Sequence, residues 1–543
     1  MSSTHEVTNQ VPPLVGHDLA QDATLLAGLH REGAGWAEPE LHELGRCAGS
    51  EQAQEWGRQA NANPPVLRTH DRYGHRIDEV AFHPAWHDLM TVAVEAGIHA
   101  APWQETQPGG HVARAAKMFV WSQVEAGHTC PVSMTYAVVP ALRRNAELAA
   151  RFEPRLAARD YDFGLRAPET KRGLIAGMSM TEKQGGSDVR TNTTTATPAG
   201  DGSYRLVGHK WFTSAPMSDL FLTLAQAPQG LSCFLLPRVL PDGSRNEIRL
   251  QRLKDKLGNR SNASAELEYE GALGWLVGEE GRGVATIIEM VNMTRLDCVL
   301  GSAAGMRAGV LAATHHARHR TTFGRKLIEA PLMASVLADL TIESEAATTV
   351  AIRLAGASDR LAGGDRQEAA FRRLALAVTK YWVCKRGPVH AGEALECLGG
   401  NGYIEESDMP RLYREAPLMS IWEGSGNVAA LDALRAMGKQ PESVEAYFVE
   451  VDLAAGADHR LDEAVERLRK ELANLDDIEV RARRIAESMA LVLQGSLLVR
   501  HGEPAVADAF CASRLGGDWG AAFGTLPPGV ATGPILERAS VAR

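Results

Sequence analysis

Two short segments carry residue types suited to one kind of chemistry. The first is MTEKQGGSDV, Met180 to Val189; the second is HKWFTS, His209 to Ser214. Hydroxyls at Thr181 and Ser187 suit hydrogen bonds to the edges of a ring. Gly185 and Gly186 let backbone N–H groups come close, because no side chain stands in the way. Trp211 offers a broad apolar face for stacking, and Thr213, two residues along the same strand, is expected on the same side. In this order the two segments describe a loop-and-strand cradle for a flat, hydrogen-bonding ring such as a flavin.

A third segment, IWEGSGN, Ile421 to Asn427, places Glu423 beside glycines that permit a sharp turn. A carboxylate projecting from such a turn into a cavity suits proton abstraction next to a carbonyl, provided burial raises its pKa toward the working pH. The same residue type at the same place also serves as a helix cap or as a partner for Arg411 or Arg414, and the spacing leaves these roles open. His315, His316 and His319 share a helix, but no further ligand is in view, and no metal site is expected. GEEGRG, Gly278 to Gly283, lacks the Lys-Ser/Thr of a phosphate-binding loop and reads as a turn.

The elements that must position these residues change character along the chain. Residues 1–175 read as a helical domain. Phe82, Trp86, Met90 and Val94 fall at four-residue steps on one apolar face, and the stretch from His111 to Leu142 is apolar enough for a buried helical layer. Asn61 to Asp78 between them reads as a Pro- and Gly-marked loop. Residues 176–284 are short runs of β-branched and aromatic residues divided by turn signals such as AGDGS and LPDGSRN, a small β domain. Residues 285–440 return to helix, with apolar-periodic segments Gly283 to Arg320 and Pro331 to Gly363 and a third from about Arg366 to Leu398 ended by the glycines of LGGNG. Residues 441–543 read as an additional helical module with a Gly-, Pro- and Ala-rich tail expected to be partly unstructured.

At 543 residues the chain is too long for one core. Its 45% hydrophobic and 23% charged content are those of a globular protein. No stretch reaches the ~18 uncharged apolar residues of a membrane span. The start, MSSTHEVTNQVPPL, lacks the basic opening and apolar block of a secretory signal. Seven cysteines with no C-x-x-C pair suggest free thiols and a cytoplasmic location. A net charge of −10 offers no general attraction for nucleic acid.

Taken in order, MTEKQGGSD, KWFTS, RTTFG (Arg320 to Gly324), LGGNG (Leu398 to Gly402) and WEGSG resemble the landmarks of the acyl-CoA dehydrogenase superfamily. The resemblance implies an N-terminal helical domain, a β-barrel-like middle domain and a C-terminal helical bundle, assembled as a homotetramer with FAD. It implies that Thr181, Ser187, Trp211 and Thr213 hold the isoalloxazine ring, with Met180, Gly185, Gly186 and Phe212 beside them. Arg320 and Phe323 would reach the pyrophosphate or adenine of a neighbouring subunit's cofactor, with Gly399 and Gly400 alongside. Trp422, Gly424, Ser425 and Asn427 would complete the contacts near Glu423, the residue matching the catalytic base that acts on an acyl-CoA. REGAGW, ANANPPVLRTHDRYGHRIDEVAFHPAWHDLM, RLKDKLGNRSNAS and the extra C-terminal module further resemble the AidB-type subfamily. That match implies a bacterial response to DNA alkylation damage, binding of double-stranded DNA by the last module, and weak dehydrogenase activity.

Some residues depart from this pattern. Glu396 stands where the wider family more often has Gln, which would place a charge near the cofactor phosphates. Residues 441–543 hold 11 Lys and Arg against 17 Asp and Glu, a poor balance for meeting phosphates. A DNA contact would therefore be confined to a strip built from Arg435, Arg469, Lys470, Arg481, Arg500 and Arg514. The competing expectation is a surface laced with i,i+4 ion pairs such as Glu463–Arg467. Two further functions stay open on this sequence. One is a metabolic dehydrogenase of short or branched acyl-CoA with a bracing extension, and the other is a non-catalytic DNA-covering flavoprotein.

Overall fold

The computed structural model describes residues 4–104 and 107–540. The chain divides into two compact units. One comprises the chain up to Glu51, Pro108–Val124 and everything from Cys298 onward; the other comprises Gln52–Gln107 and Glu125–Asp297.

The second unit is built on β structure. Strands β1 (Val66–His70) and β2 (Arg76–Ala81) form an antiparallel hairpin where the sequence suggested a loop. Its turn is made by Asp71, whose carboxylate accepts from the N–H groups of Tyr73 and His75, and by Gly74 at φ 87°. The strands are too short and too charged to announce themselves. They are held because Leu67 and Val80 pack onto the barrel core and Arg76 donates to the Leu250 carbonyl at 2.7 Å.

Seven further strands make one sheet: β3 (Ala176–Ser179), β4 (Thr195–Pro198), β5 (Ser203–Ser214), β6 (Leu220–Ala227), β7 (Gly230–Pro237), β8 (Ile248–Leu253) and β9 (Ser264–Val277). The order is β3-β6-β4-β5-β9-β7, and β7 also pairs with β6. Strands β6, β4, β5, β9 and β7 thus close on themselves, which removes their edges, as expected for a barrel-like domain. Leu206, Phe234, Leu236, Leu250 and Leu267 fill its interior. Helix Pro84–Glu95 belongs to this unit and buries Trp86, Met90 and Val94, the stripe read from the sequence.

The first unit is helical. Long helices Pro331–Ala362 and Arg366–Glu396 form its centre, with Met409–Ile421 and Gly426–Lys439 packed on the second of them. Helix Gly283–His319 enters this unit at Cys298. It is long and apolar enough to cross a membrane, yet 78% of its most apolar stretch is buried within the protein.

Residues beyond 441 belong to this same unit and are riveted to its centre. Arg353 donates to Glu368 and Glu450, and Arg500 donates to the other oxygen of Glu450 at 2.6 Å. Burial alone would raise the Glu450 pKa, but Arg353 and Arg500 outweigh it and bring it to about 2. The tail expected to be loose is packed: Phe523, Ile535 and Ala539 are buried, and Arg538 pairs with Glu345 at 2.7 Å. Glycine and proline content misled here, because Leu536 and Ala539 dock on the apolar cluster around Leu337 and Leu340.

Candidate functional site

The predicted constellation is distributed over both units, and each part has its own local logic. In the barrel unit, the loop after β3 is fastened to β5 by a hydrogen bond from the Trp211 N–H to the Thr181 carbonyl, 2.8 Å. Asn192 donates to the Met180 carbonyl at 3.0 Å. Gly185 has φ 149°, and a Cβ on Gly186 would fall 2.4 Å from the Thr181 hydroxyl oxygen, so the double glycine is a steric requirement of this turn. The hydroxyls of Thr181 and Ser187 are not spent on other described residues, which leaves both for a ligand.

Beneath the loop lies an ion pair that sequence reading passed over. Lys210 Nζ meets Glu182 Oε1 at 2.9 Å with both side chains 0% exposed. Lys210 also donates to the Leu224 carbonyl, and Glu182 accepts from the Thr193 and Thr194 N–H groups and from Gln184. Burial on its own would raise Glu182; the Lys210 ammonium and the Thr194 and Thr193 donors override it and hold the carboxyl well below the usual range. Burial lowers Lys210 to about 8, so it remains protonated at neutral pH. In sequence these are only the E and K of TEK and HKW, with nothing to say that they meet.

Strand β5 corrects one expectation. Its pairing with β9 slips between Lys210 and Thr213, a bulge that interrupts the two-residue alternation. Lys210 and Thr213 therefore both point inward, while Trp211 is partly exposed and Phe212 is exposed. Trp211 and Thr213 do not share a face, and the Thr213 hydroxyl is engaged with Ser179 at 2.5 Å. Lys254 lies over the outward aromatics, its Nζ 3.4 Å from the Trp211 ring centre and 4.7 Å from that of Phe212. One indole face is thus taken by a cation, which is itself paired with Glu266 at 2.6 Å.

In the helical unit, Glu423 and Gly424 make the turn between helices Met409–Ile421 and Gly426–Lys439. Glu423 has φ 55°, a left-handed conformation costing a non-glycine residue about 1–3 kcal/mol and found where surroundings enforce it. The enforcement is visible. Buried Lys380 donates to the carbonyls of Ser420 and Gly424, one on each side of Glu423. Trp422 packs against Cys298, Cys384 and Met419. Arg411 pairs with Asp408 and Arg414 with Glu405, the two arginines that the sequence offered Glu423 as partners. Ser425 is exposed at the start of the next helix, and Asn427 accepts from Arg483 at 2.7 Å, a link to the last module that no sequence signal announced.

Arg320 and Phe323 lie on a small hairpin, Thr321–Thr322 with Arg325–Lys326. Phe323 (φ 49°) and Gly324 (φ 81°) form its tip, and the Phe323 ring is fully exposed. Arg320 donates to the Asn9 carbonyl at 2.6 Å, while Asn9 and Thr321 exchange two further hydrogen bonds of 2.8 Å. Gly399, at φ 60°, and Gly400 are exposed beyond helix Arg366–Glu396, and Glu396 is exposed beside them. Among the described residues no three His, Cys, Asp or Glu converge as metal ligands. His315 Nε2 donates to the Pro12 carbonyl, 2.7 Å.

The basic residues expected to form a DNA strip are mostly consumed. Arg514 is 0% exposed at its side chain, paired with Asp339 and Glu343, and no phosphate can reach it; burying a guanidinium demands such partners. Arg500 is bound to Glu450. Arg469 is held by Asp452 at 2.6 Å and lies over Phe448. Arg481 donates to the carbonyls of Glu471, Asn474 and Asp476, closing the end of helix His459–Ala473. Arg435 and Lys470 remain exposed, Arg435 with Asp432 3.6 Å away.

Three family models match: the adaptive response protein AidB N-terminal domain over residues 9–163, the acyl-CoA dehydrogenase middle domain over 177–272 and the acyl-CoA dehydrogenase C-terminal domain over 281–438. The chain is 48% identical to AidB of Escherichia coli (strain K12) over 517 residues, 94% of each chain. It superposes on Caenorhabditis elegans ACDH-11, solved in complex with C11-CoA, with a TM-score of 0.87 and 29% identity over 94% of each chain. An acyl-CoA dehydrogenase from Bacillus anthracis, solved with FAD, shares the fold at a TM-score of 0.65 and 20% identity, covering 80% of this chain and 81% of that one.

Proposed function

The chain belongs to the acyl-CoA dehydrogenase family, in its AidB-like branch, and from that premise we propose that it is an FAD-dependent oxidoreductase acting on an acyl-CoA thioester. The observation that carries this reading is the turn at Glu423, where a carboxylate is held in a left-handed conformation by Lys380 on both flanking carbonyls.

The residues present fit the cofactor. Thr181 and Ser187 offer uncommitted hydroxyls, Gly185 and Gly186 keep the loop backbone bare, and Trp211 presents a partly exposed indole. When bound, FAD supplies the two-electron acceptor. Glu423 takes the proton from the carbon next to the thioester carbonyl, and Lys380 fixes the direction from which the carboxylate approaches. The Glu182–Lys210 pair keeps the ring-binding loop in place without touching the reactants. Arg320 and Phe323 contact the cofactor of a neighbouring copy in a homotetramer, the Phe323 ring standing fully exposed at the hairpin tip.

The test is direct. Purified protein should be yellow or become so on adding FAD, and should reduce a dye with at least one member of an acyl-CoA panel. A colourless protein that cannot be reconstituted rejects the reading. Arg320→Ala should lower flavin occupancy without unfolding, and a monomer that binds FAD fully would reject the shared site. The seven free thiols suit a cytoplasmic location.

A second reading adds a role in the response to DNA alkylation through duplex binding. It is supported by the identity to AidB and by the exposed cations Arg435, Lys470 and Arg484. Salt-dependent binding of a duplex oligonucleotide, weakened by Arg435→Gln and Lys470→Gln together, is its test. The braces at Glu450 and Asp339 fit equally a C-terminal extension that only stiffens a metabolic enzyme, and unaltered binding in that variant favours this alternative.

A further inference from the structure

Within the last hundred residues, helices His459–Ala473 and Ile478–His501 and the wide helical turn Cys511–Leu515 line an open cleft of about 460 Å³. Small-molecule sites span roughly 300–1,000 Å³. The residues so far assigned to FAD and acyl-CoA take no part in it. Its walls are apolar, made by Ala464, Leu468, Leu491, Val492 and Leu515, with the Ser488 hydroxyl among them.

The remaining lining residues are Arg467, Lys470, Arg481, Arg484 and Arg514, with Glu471 the one carboxylate. These cations differ in what they can offer. Arg514 is neutralised by Asp339 and Glu343. Arg481 spends its donors on three backbone carbonyls, and Arg467 donates to the Leu515 carbonyl at 2.8 Å with Glu463 3.8 Å away. Lys470 has no carboxylate within ion-pair distance among the described residues. Arg484 is 80% exposed and shares Glu471, at 3.4 Å, with Arg481 at 3.8 Å. Lys470, with no acid of its own, and Arg484, which shares Glu471 with Arg481, are therefore the rim cations left above a hydrocarbon floor.

We propose that this cavity binds a single-tailed anionic amphiphile, a medium-chain aliphatic carboxylate or phosphate monoester. The tail lies against Leu468, Leu491 and Val492, and the head sits between Lys470 and Arg484. Each half of the ligand answers one half of the site. Burying the chain removes apolar surface from water, and the head gains charge-assisted hydrogen bonds at the rim. A bare phosphate engages only the rim. A duplex is too broad for a concavity this size and meets only outward cations. This site is separate from the flavin chemistry and does not depend on it.

The experiment is calorimetric titration of the full chain with decanoate, decyl phosphate, inorganic phosphate and decyltrimethylammonium. The wild type is compared with Lys470→Gln/Arg484→Gln and with Leu491→Trp, which fills the cavity and leaves the rim charges. Decanoate or decyl phosphate should bind wild type and weaken roughly tenfold or more in both variants, a difference of about 1.4 kcal/mol. Inorganic phosphate and the cationic amphiphile should show no variant-sensitive binding. Because neither variant touches the flavin or acyl residues, binding in the acyl cleft cancels in the comparison, and flavin content should be equal in all three proteins. Equal amphiphile affinity in the three proteins overturns the proposal. So does inorganic phosphate binding as tightly as decyl phosphate, or displacement of the amphiphile by a duplex oligonucleotide.

Discussion

Replacing Lys210 by Met removes one member of the buried pair beneath the flavin loop and leaves the other charged. Glu182 would keep the Thr193 and Thr194 donors but lose the ammonium 2.9 Å away, in a place with 0% side-chain exposure. Breaking a buried pair from one side costs about 3–5 kcal/mol, because the stranded charge has no water to turn to. The substitution Glu182→Gln/Lys210→Met removes both charges and should recover much of that loss. Denaturant unfolding of wild type, both single variants and the double variant closes a cycle that isolates the pair. Flavin titration of the same proteins reads the functional consequence, since Thr181, Gly185, Gly186 and Ser187 sit on the loop that Glu182 anchors. The single variant should bind FAD more weakly and the double variant better than the single. The pH dependence has a fixed sign: the Glu182 pKa is depressed on folding, so its contribution is complete above the ordinary carboxylate value and fades as pH falls through the folded one. If Lys210→Met costs less than about 1 kcal/mol, the figure for an exposed pair, and leaves FAD affinity unchanged, the loop is not held as described.

Three other substitutions probe separate parts of the account. Gly186→Ala places a methyl 2.4 Å from the Thr181 hydroxyl, so FAD affinity should fall while the melting temperature changes little; unchanged affinity would mean the loop has room. Arg514→Met strands the charge of Asp339 in the interior and leaves Glu343 with Arg386 alone, and chemical denaturation should show a loss of about 3–5 kcal/mol. A change within ±0.5 kcal/mol, typical of surface sites, would return Arg514 to the exposed strip. Phe323→Asp at the hairpin tip should shift the protein toward smaller assemblies in light scattering without unfolding the chain, and an unchanged mass would separate that aromatic from assembly.

How far the amino-acid order revealed these features depends on the range of the forces involved. Helix Pro331–Ala362 and the barrel strands β5 to β7 follow from local periodicity and turn chemistry, and both were legible. The β1–β2 hairpin was not, since its stability comes from Leu67 and Val80 meeting a barrel more than a hundred residues away. The bulge at Trp211 was equally hidden: a one-residue slip against β9 reverses the facing of Thr213, and nothing in KWFT signals it. At the Glu423 turn the glycines gave away the bend, but the clamp came from Lys380, one lysine in a long buried helix. The basic strip is thinner than the arginines suggested for a related reason. Arginines that look available in sequence had acidic partners on other helices, Glu450 for Arg500 and Asp339 for Arg514.

The most direct measurement mixes the FAD-loaded protein with an acyl-CoA panel in the absence of oxygen and follows the yellow absorbance of the flavin. Wild type should bleach with at least one thioester. Glu423→Gln, which keeps the turn and removes the base, should bind the same flavin yet bleach slower by roughly 10²–10⁴-fold, the usual worth of a positioned base. Equal bleaching by the two proteins would show that the carboxylate at the strained turn does not take the proton.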